Sequence, residues 1–283
     1  MLAHGRYFYD IPKDSSMLDD VVRKRNNVII SGAGDRTLVF AHGFGCDQTM
    51  WRFLIPHLRD KYRIVTFDYV GCGKSDPAAF SQKKYSSLEG YAQDIIDVCE
   101  AMDLSDAILI GHSVSAMTGL IAAIKAPERI GKIVMVCPSP CFMNKPPNYY
   151  GGFEREDLDE LIALMDENYL GWANHLSAVV MGLSGETMVG ELAQSFCSTD
   201  PLFAKTFAKA TFFSDCRDQL ARANQATLVL QSSNDALAPV SVGRFVQSKM
   251  SMAQLEIFEA NGHCLHMTHA EEIAPTIEAF IQQ

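Results

Sequence analysis

Ser113 stands in a local pattern that could make it a nucleophile. It lies in the stretch 111–115, GHSVS, after the apolar run 107–110 and before the small and apolar run 116–124. This pattern predicts a strand, a sharp turn with the serine at its tip, and a helix. Small flanking residues are needed because the turn is strained and the helix packs close to the strand. The usual pattern ends in glycine where this chain has Ser115, and a buried turn with an incidental hydroxyl is the alternative interpretation.

A serine hydroxyl is a poor nucleophile at neutral pH, so it needs a base and an acid that holds the base in one tautomer. Asp235 and His263 each follow a predicted strand, and they come after Ser113 in the chain. The order serine, acid, histidine is typical of the α/β-hydrolase fold. We therefore predict Ser113, Asp235 and His263 as a catalytic triad. Four rival residues are placed less favourably. His266 and His269 lie at the start of the last helix, and Asp215 and Asp218 follow a helix rather than a strand.

The tetrahedral intermediate of acyl transfer carries a negative oxygen that backbone N–H groups must stabilise. The residue after the nucleophile supplies one N–H, and the loop after an earlier strand supplies the other. Here those residues are Val114 and Phe44, the latter in the glycine-containing loop 42–45. The implied reaction is acyl transfer to water. We predict no metal and no organic cofactor, because no cluster of histidines and carboxylates has metal-ligand spacing.

Strands and helices alternate along most of the chain. The predicted strands are 28–30, 37–41, 62–69, 107–110, 132–137, 227–231 and 255–259. The main predicted helices between them are 48–58, 88–102, 116–124 and 240–249, with a last one near the C-terminus. This alternation predicts an α/β fold with a mostly parallel, doubly wound sheet, in which ligands bind at the carboxyl ends of the strands. The predicted triad and the loop 42–45 all fall at those ends.

The alternation stops between residues 138 and 214. This segment opens with four prolines and continues with helix-period stretches near 155–168, 185–197 and 201–213. It predicts a helical cap inserted over the strand ends of a core formed by residues 27–137 and 215–283, with residues 1–26 as an N-terminal extension. The aromatic and methionine side chains of the cap together predict a small apolar pocket, although each one alone is more simply explained by helix packing. The predicted pocket residues are His112, Phe142, Trp172 and Phe212.

The composition is that of a soluble globular enzyme. Of 283 residues, 48% are hydrophobic and 20% are charged, and 24 basic against 34 acidic residues give a net charge of −10. This acidity argues against nucleic acid or an anionic membrane as the main partner. The eight cysteines are scattered without a CxxC pair, and the N-terminus has no long apolar signal core. We therefore expect reduced thiols and a cytoplasmic protein.

Several segments of the chain carry a resemblance to a known family. The matching segments are 42–48 with Trp51, 67–73 and 111–117 in the core, 149–154, 171–173 and 212–215 in the cap, and 262–264 near the end. Over about residues 27–283 the chain resembles the RsbQ group of α/β hydrolases, bacterial stress-signalling hydrolases related to the plant karrikin and strigolactone receptors. The cap matches are the most specific, because general hydrolases diverge there. Ser115 is also the residue that this group has at that position.

The resemblance implies a four-helix cap over a hydrophobic pocket, the triad named above and a small hydrophobic substrate. It also implies a partner, because RsbQ-like proteins are required by a phosphatase with a PAS sensor domain in the general stress pathway. Two interpretations stay open. In one, the protein is a signalling component whose hydrolytic pocket serves a PAS-domain protein; in the other, it is a stand-alone carboxylesterase of small apolar esters. Ligand binding without turnover is weakened by the complete triad.

Overall fold

The computed structural model describes residues 15–182 and 186–283. In this part of the chain, seven strands form one sheet: β1 (Ile29–Ser31), β2 (Thr37–Ala41), β3 (Arg63–Thr66), β4 (Ala107–His112), β5 (Ile130–Val136), β6 (Ala226–Asn234) and β7 (Ala253–Asn261). Their order across the sheet is β1-β3-β2-β4-β5-β6-β7, and all neighbours are parallel except β1 and β3. The predicted α/β fold with a mostly parallel sheet is confirmed, and the carboxyl ends of the parallel strands share one edge.

Helices pack around this sheet. In chain order they are α1 (Ser15–Arg25), α2 (Ile55–Leu58), α3 (Leu88–Ala101), α4 (Val114–Lys125), α5 (Arg155–Glu167), α6 (Tyr169–Met181), α7 (Glu186–Ser198), α8 (Pro201–Phe212), α9 (Val240–Lys249), α10 (Leu265–Thr268) and α11 (Ala270–Gln282). The stretch 48–58, predicted as one helix, is instead a 3-10 helix (Gln48–Phe53) followed by α2. Pro56 explains the break, because proline lacks an N–H and favours the first turn of a new helix. None of the described helices has the length and apolar character needed to cross a membrane.

Apolar side chains of the strands are buried on both faces of the sheet. On β2, Leu38 and Phe40 pack in one apolar cluster with Trp51, whereas Val39 packs in the opposite cluster with Leu109 of β4. All five side chains are fully shielded from solvent. A sheet covered on both faces needs continuous apolar strands rather than alternating ones, which explains the runs LVFA and AILIG. This packing fixes the strand ends on which the candidate site is built.

Four helices, α5 to α8, lie between β5 and β6 in the chain, where the sequence alternation stops. Three of them correspond to predicted stretches, although the predicted start at Gly185 lies outside the described residues. The fourth, α6, has no counterpart in the helix-period pattern, whereas the family resemblance implies it. The ends of this segment meet, since the Cys216 N–H donates to the Pro140 carbonyl at 2.7 Å. We call this segment the cap; its limits at residues 138 and 214 stay a prediction.

Polar contacts join the end of α1 to the core. The Arg25 guanidinium donates to the Asp97 carboxylate of α3 at 2.7 Å. The buried Asn26 side chain donates to the Asp68 carbonyl at 3.0 Å. The predicted extension is therefore anchored at its C-terminal end, and its residues 1–14 lie outside the described part of the chain.

Candidate active site

Ser113 is the single residue between the end of β4 and the start of α4, and its backbone has φ 55° and ψ −119°. A positive φ is strained for a residue with a Cβ, so the surrounding structure must hold it. The Ser113 N–H donates to the Val136 carbonyl at 2.9 Å. A Cβ on Gly111 would lie 2.4 Å from the Ser115 carbonyl oxygen. Glycine at position 111 therefore allows α4 to leave the strand at the angle that exposes the serine.

Ser115, where the usual pattern has glycine, joins α4 to two neighbouring strands through its hydroxyl. Its Oγ donates to the carbonyl of His42, which follows β2, and lies 2.9 Å from the hydroxyl of Tyr69, which lies beyond β3. The Tyr69 hydroxyl also lies 2.8 Å from Thr118 Oγ1, one turn farther along α4. All four residues are buried. Glycine at position 115 would remove a partner from a buried carbonyl and a buried phenol, which is unfavourable.

Asp235 and His263 meet Ser113 in one chain of hydrogen bonds. His263 Nε2 lies 2.8 Å from Ser113 Oγ, and His263 Nδ1 lies 2.7 Å from Asp235 Oδ2. All three side chains are buried. Asp235 follows β6 and His263 follows β7, so three strand ends bring together the three predicted residues. We call Ser113, His263 and Asp235 the triad.

The Asp235 carboxylate is held in its charged form. Burial alone would raise its pKa, but the His263 imidazole and the N–H groups of Leu237 and Ala238 more than offset burial, and the pKa lies below its usual value. These N–H groups donate to Oδ1 at 2.9 and 3.1 Å. An ionised carboxylate at Nδ1 fixes the imidazole tautomer in which Nε2 accepts the serine proton.

The rival residues do not complete the triad. His266 packs at a tilt against the indole of Trp51, with 4.6 Å between ring centroids. Asp215 pairs with Arg217 at 2.7 Å. Among the described residues, no hydrogen bond joins the triad to any of the four rivals, His266, His269, Asp215 and Asp218.

Two backbone N–H groups beside the triad are available to an oxyanion. The N–H groups of Phe44 and Val114 donate to no other residue that the structure describes. Phe44 lies in the loop after β2 and, together with Ser113, lines the same cavity. Val114 is the first residue of α4, where N–H groups lack partners within the helix and the helix dipole is positive. Unpaired donors at these two positions fit the predicted oxyanion hole.

A narrow apolar chamber lies at Ser113. Its cavity volume is about 30 Å³. The core contributes Ser113, His263 and their neighbours, and α6, α7 and α8 of the cap contribute most of the apolar wall. The chamber is therefore suited to small apolar groups.

Three of the four predicted pocket residues line this chamber: His112, Phe142 and Phe212. Trp172 does not line it, and lies one layer behind, with its ring 6.0 Å from that of Phe44 and 5.2 Å from that of Phe196. The lining residues that the sequence analysis missed are Cys46, Leu176, Val180, Leu192, Phe196, Thr211, Leu237 and Cys264. Apolar periodicity marks the cap residues of this set as buried but does not separate a chamber wall from helix packing.

Two buried groups of the described residues bring three potential metal ligands within 4.8 Å of one another, namely Cys137, Asp235 and His263, and His112, Cys264 and His266. In the first group, Asp235 and His263 already bond to each other. In the second, burial lowers the pKa of His112 to about 3 and raises the pKa of the Cys264 thiol well above its usual value. A metal ion there would have to displace the thiol proton. The absence of a metal from the reaction stays a prediction.

A strained serine after β4, an acid after β6 and a histidine after β7 are the arrangement expected of one enzyme fold. Residues 36–270 match the family described as alpha/beta hydrolase fold. The chain belongs to this family. A solved structure of a hydrolase from Oleispira antarctica superimposes on this α/β hydrolase with a TM-score of 0.92 and 53% sequence identity, over 94% of this chain and 97% of the other.

Plant proteins are also among the relatives of this α/β hydrolase. It is 36% identical over 259 residues to the "Karrikin insensitive 2 receptor CA" of Petunia hybrida, and the alignment covers 91% of this chain and 96% of the relative. It is 30% identical over 258 residues to the "Strigolactone esterase RMS3" of Pisum sativum, and the alignment covers 91% of this chain and 97% of the relative. The expected relation to karrikin and strigolactone receptors is therefore confirmed.

Proposed function

We propose that this α/β hydrolase cleaves small apolar esters through a covalent acyl-Ser113 intermediate. The main support is the continuous chain of hydrogen bonds from Ser113 Oγ through His263 to Asp235, with distances of 2.8 and 2.7 Å. A serine with such a base, and with an ionised acid behind the base, has the parts that nucleophilic acyl transfer requires.

In the first half-reaction, Ser113 Oγ attacks the ester carbonyl carbon while His263 Nε2 takes the hydroxyl proton. The carbonyl oxygen becomes an oxyanion, which we assign to the N–H groups of Phe44 and Val114. The tetrahedral intermediate then collapses: the bond to the alcohol oxygen breaks, and the His263 imidazolium gives its proton to the leaving alkoxide. Asp235 stabilises the imidazolium without taking the proton itself.

In the second half-reaction, water attacks the acyl carbon and His263 Nε2 takes its proton. The bond between the acyl carbon and Ser113 Oγ then breaks, and the imidazolium returns the proton to the serine. The products are a carboxylic acid and an alcohol. Every proton and electron pair in this scheme is accounted for by the ester, the water and the triad.

Covalent labelling tests the role of Ser113. An alkyl fluorophosphonate should add once to the intact protein, at Ser113 by peptide mapping, and should not add to Ser113→Ala. Aryl acetates and butyrates should turn over, because their acyl groups fit the narrow chamber. An adduct that persists in Ser113→Ala, or comparable turnover of long-chain lipid esters, contradicts the proposal.

We further propose that the hydrolase is a member of the RsbQ group and serves a PAS-domain signalling partner in a stress response. Support comes from the cap segments 149–154 and 212–215, which resemble that group and are not required for ester hydrolysis itself. A relative named as a receptor adds support. We assign the pair to the cytoplasm, because all eight cysteines are free thiols. The second candidate, a stand-alone carboxylesterase, is favoured by the relatives named as esterases.

Gene deletion separates the two candidates. The output of a PAS-domain protein encoded nearby should fall on deletion, return with the wild-type gene, and stay low with Ser113→Ala. An unchanged output on deletion favours the stand-alone esterase. Full rescue by Ser113→Ala keeps the partnership but removes turnover from the signal, and a conformational signal then requires a partner with different affinities for two states of the cap.

A further inference from the structure

The loop that carries the Phe44 N–H is anchored on both sides by serine hydroxyls. On the core side, Ser115 Oγ donates to the carbonyl of His42, two residues before Phe44. On the cap side, Ser195 Oγ of α7 donates at 2.8 Å to the carbonyl of Gly45, the residue after Phe44. We infer that Ser195 is a positioning residue of the hydrolytic reaction, which fixes one oxyanion donor from the cap. This inference rests on the proposed function.

The contact between α7 and this loop is close. Gly45 has φ 70°, and a Cβ built on it would lie 1.8 Å from the ring of Phe196, the residue next to Ser195. The absence of a side chain at position 45 therefore lets α7 lie directly on the loop. Ser195 is half-buried and Phe196 is buried. The Ser195 hydroxyl and the Phe196 ring therefore both hold Gly45 from the side of α7.

The Phe44 side chain is also held by the cap. Its ring lies at centroid distances of 5.5 to 6.0 Å from four aromatic rings of α6, α7 and α8: Trp172, Phe196, Phe207 and Phe212. The core holds the His42 carbonyl and also the Gly43 carbonyl, which lies 2.9 Å from His42 Nδ1, whereas the cap holds the Gly45 carbonyl and the Phe44 side chain. The direction of the Phe44 N–H therefore depends on α7 as well as on the core.

That dependence matters for the reaction because an oxyanion donor works only in a narrow range of distance and angle. Loss of a whole donor lowers kcat by about 10²–10³-fold in other hydrolases. A hydroxyl that only aligns the donor should have a smaller effect. It should act on the transition state and leave binding of the uncharged substrate nearly unchanged.

The test compares Ser195→Ala with Ser198→Ala. Ser198 lies on the same helix, is exposed, and its hydroxyl donates to the Ser195 carbonyl within the helix. For aryl acetate hydrolysis we expect Ser195→Ala to lower kcat about 5- to 20-fold at nearly constant KM, and to weaken inhibition by phenylboronic acid by a similar factor. Ser195→Thr, which keeps the hydroxyl, should restore most of kcat, and Ser198→Ala should behave as wild type.

A double-mutant cycle with Ser115→Ala adds a second readout. If both hydroxyls align one loop, the loss of kcat in the double variant should differ from the product of the single losses. A kcat for Ser195→Ala equal to that of Ser198→Ala, or a loss matched by lower thermal stability and not restored by Ser195→Thr, overturns the inference. Wild-type protein that neither hydrolyses aryl acetates nor reacts with a fluorophosphonate at Ser113 overturns the proposed function instead.

Discussion

The two sides of the chamber are built from different interactions. On the core side, hydrogen bonds fix the reacting atoms, because the Ser113 N–H, the Asp235 carboxylate and the His263 imidazole all have partners at 2.7 to 3.1 Å. On the cap side, the rings of Phe196 and Phe212 pack against that of Phe44 at centroid distances of 5.8 and 5.7 Å. Hydrogen bonds are directional, whereas ring packing tolerates small shifts. The comparison indicates that the core holds the triad, whereas the cap forms most of the apolar wall that a substrate must fit.

The largest expected effect comes from removing the base on the core side. His263→Ala should lower kcat about 10⁴–10⁶-fold, because among the described residues only His263 forms a hydrogen bond with Ser113 Oγ. His266→Ala is the matched control, since His266 lies three residues away and packs against Trp51 rather than Ser113. Initial rates with an aryl acetate, normalised by folded protein, measure both. Similar losses in the two variants would contradict the assignment of the base.

Replacing the acid should have the next largest effect. Asp235→Asn keeps the shape of the side chain but removes the charge that fixes the His263 tautomer, so kcat should fall about 10³–10⁴-fold. Asp215→Asn changes a rival carboxylate that pairs with Arg217, and its kcat should stay within about twofold of wild type. Equal losses in the two variants would contradict the assignment of the acid.

Much of this core side could be predicted from sequence. Apolar runs mark β4, β5 and β6, and an alternating stretch marks β7, so Ser113, Asp235 and His263 each follow a recognisable strand and their order leads to the triad. The unusual Ser115 was visible as well. Its partners His42 and Tyr69 were not, because strand order across the sheet brings them together and sequence order does not.

The cap was harder to predict, for two physical reasons. Helix α6 has no Asp, Glu, Lys or Arg in Tyr169–Met181, so it lacks the polar face that makes a helical period visible. Which aromatic side chains reach the chamber depends on the rotation of each helix, and this is why Phe212 lines it and Trp172 lies behind it. The contact between Ser195 and Gly45 joins residues 150 positions apart, and no local sequence pattern predicts it.

Acid should destabilise the core side through its buried histidines. Burial lowers the pKa of His112 to about 3 and that of His266 well below its usual value, although the unfolded chain binds these protons near pH 6.5. Stability is therefore fully present above pH 6.5 and is lost as the pH falls below it, by about 2 kcal/mol per histidine between pH 7 and 5. Urea unfolding at several pH values measures this slope.

Two variants sharpen this measurement. His266→Gln removes one titrating group, so its free energy of unfolding should fall less steeply between pH 7 and 5, whatever its absolute stability. His57→Gln changes an exposed histidine and should keep the slope of the wild type. Equal slopes in all three proteins would mean that His266 is not the source of the acid sensitivity.

The smallest expected effect lies on the cap side. Phe212→Leu shortens a buried ring that lines the chamber, so the ratio of kcat/KM for hexanoate over acetate esters should rise about 10-fold. The neighbouring Phe213 is absent from the chamber wall, and Phe213→Leu should leave the ratio unchanged. A fall of kcat for all acyl lengths in Phe212→Leu would instead place this cap residue with the reacting groups of the core.

The hydrogen bond between the Cys216 N–H and the Pro140 carbonyl closes the cap at its base. Because this bond holds Pro140, which follows β5, beside Cys216, the length of chain between these two residues is nearly free, and doubling it adds only about 0.6 kcal/mol of closure entropy. β5 and β6 would stay in register beneath any such replacement. The segment between Pro140 and Cys216 can thus be exchanged while the core is kept. A cap taken from another hydrolase should direct a new substrate to Ser113, provided that it also carries a hydroxyl that donates to the Gly45 carbonyl.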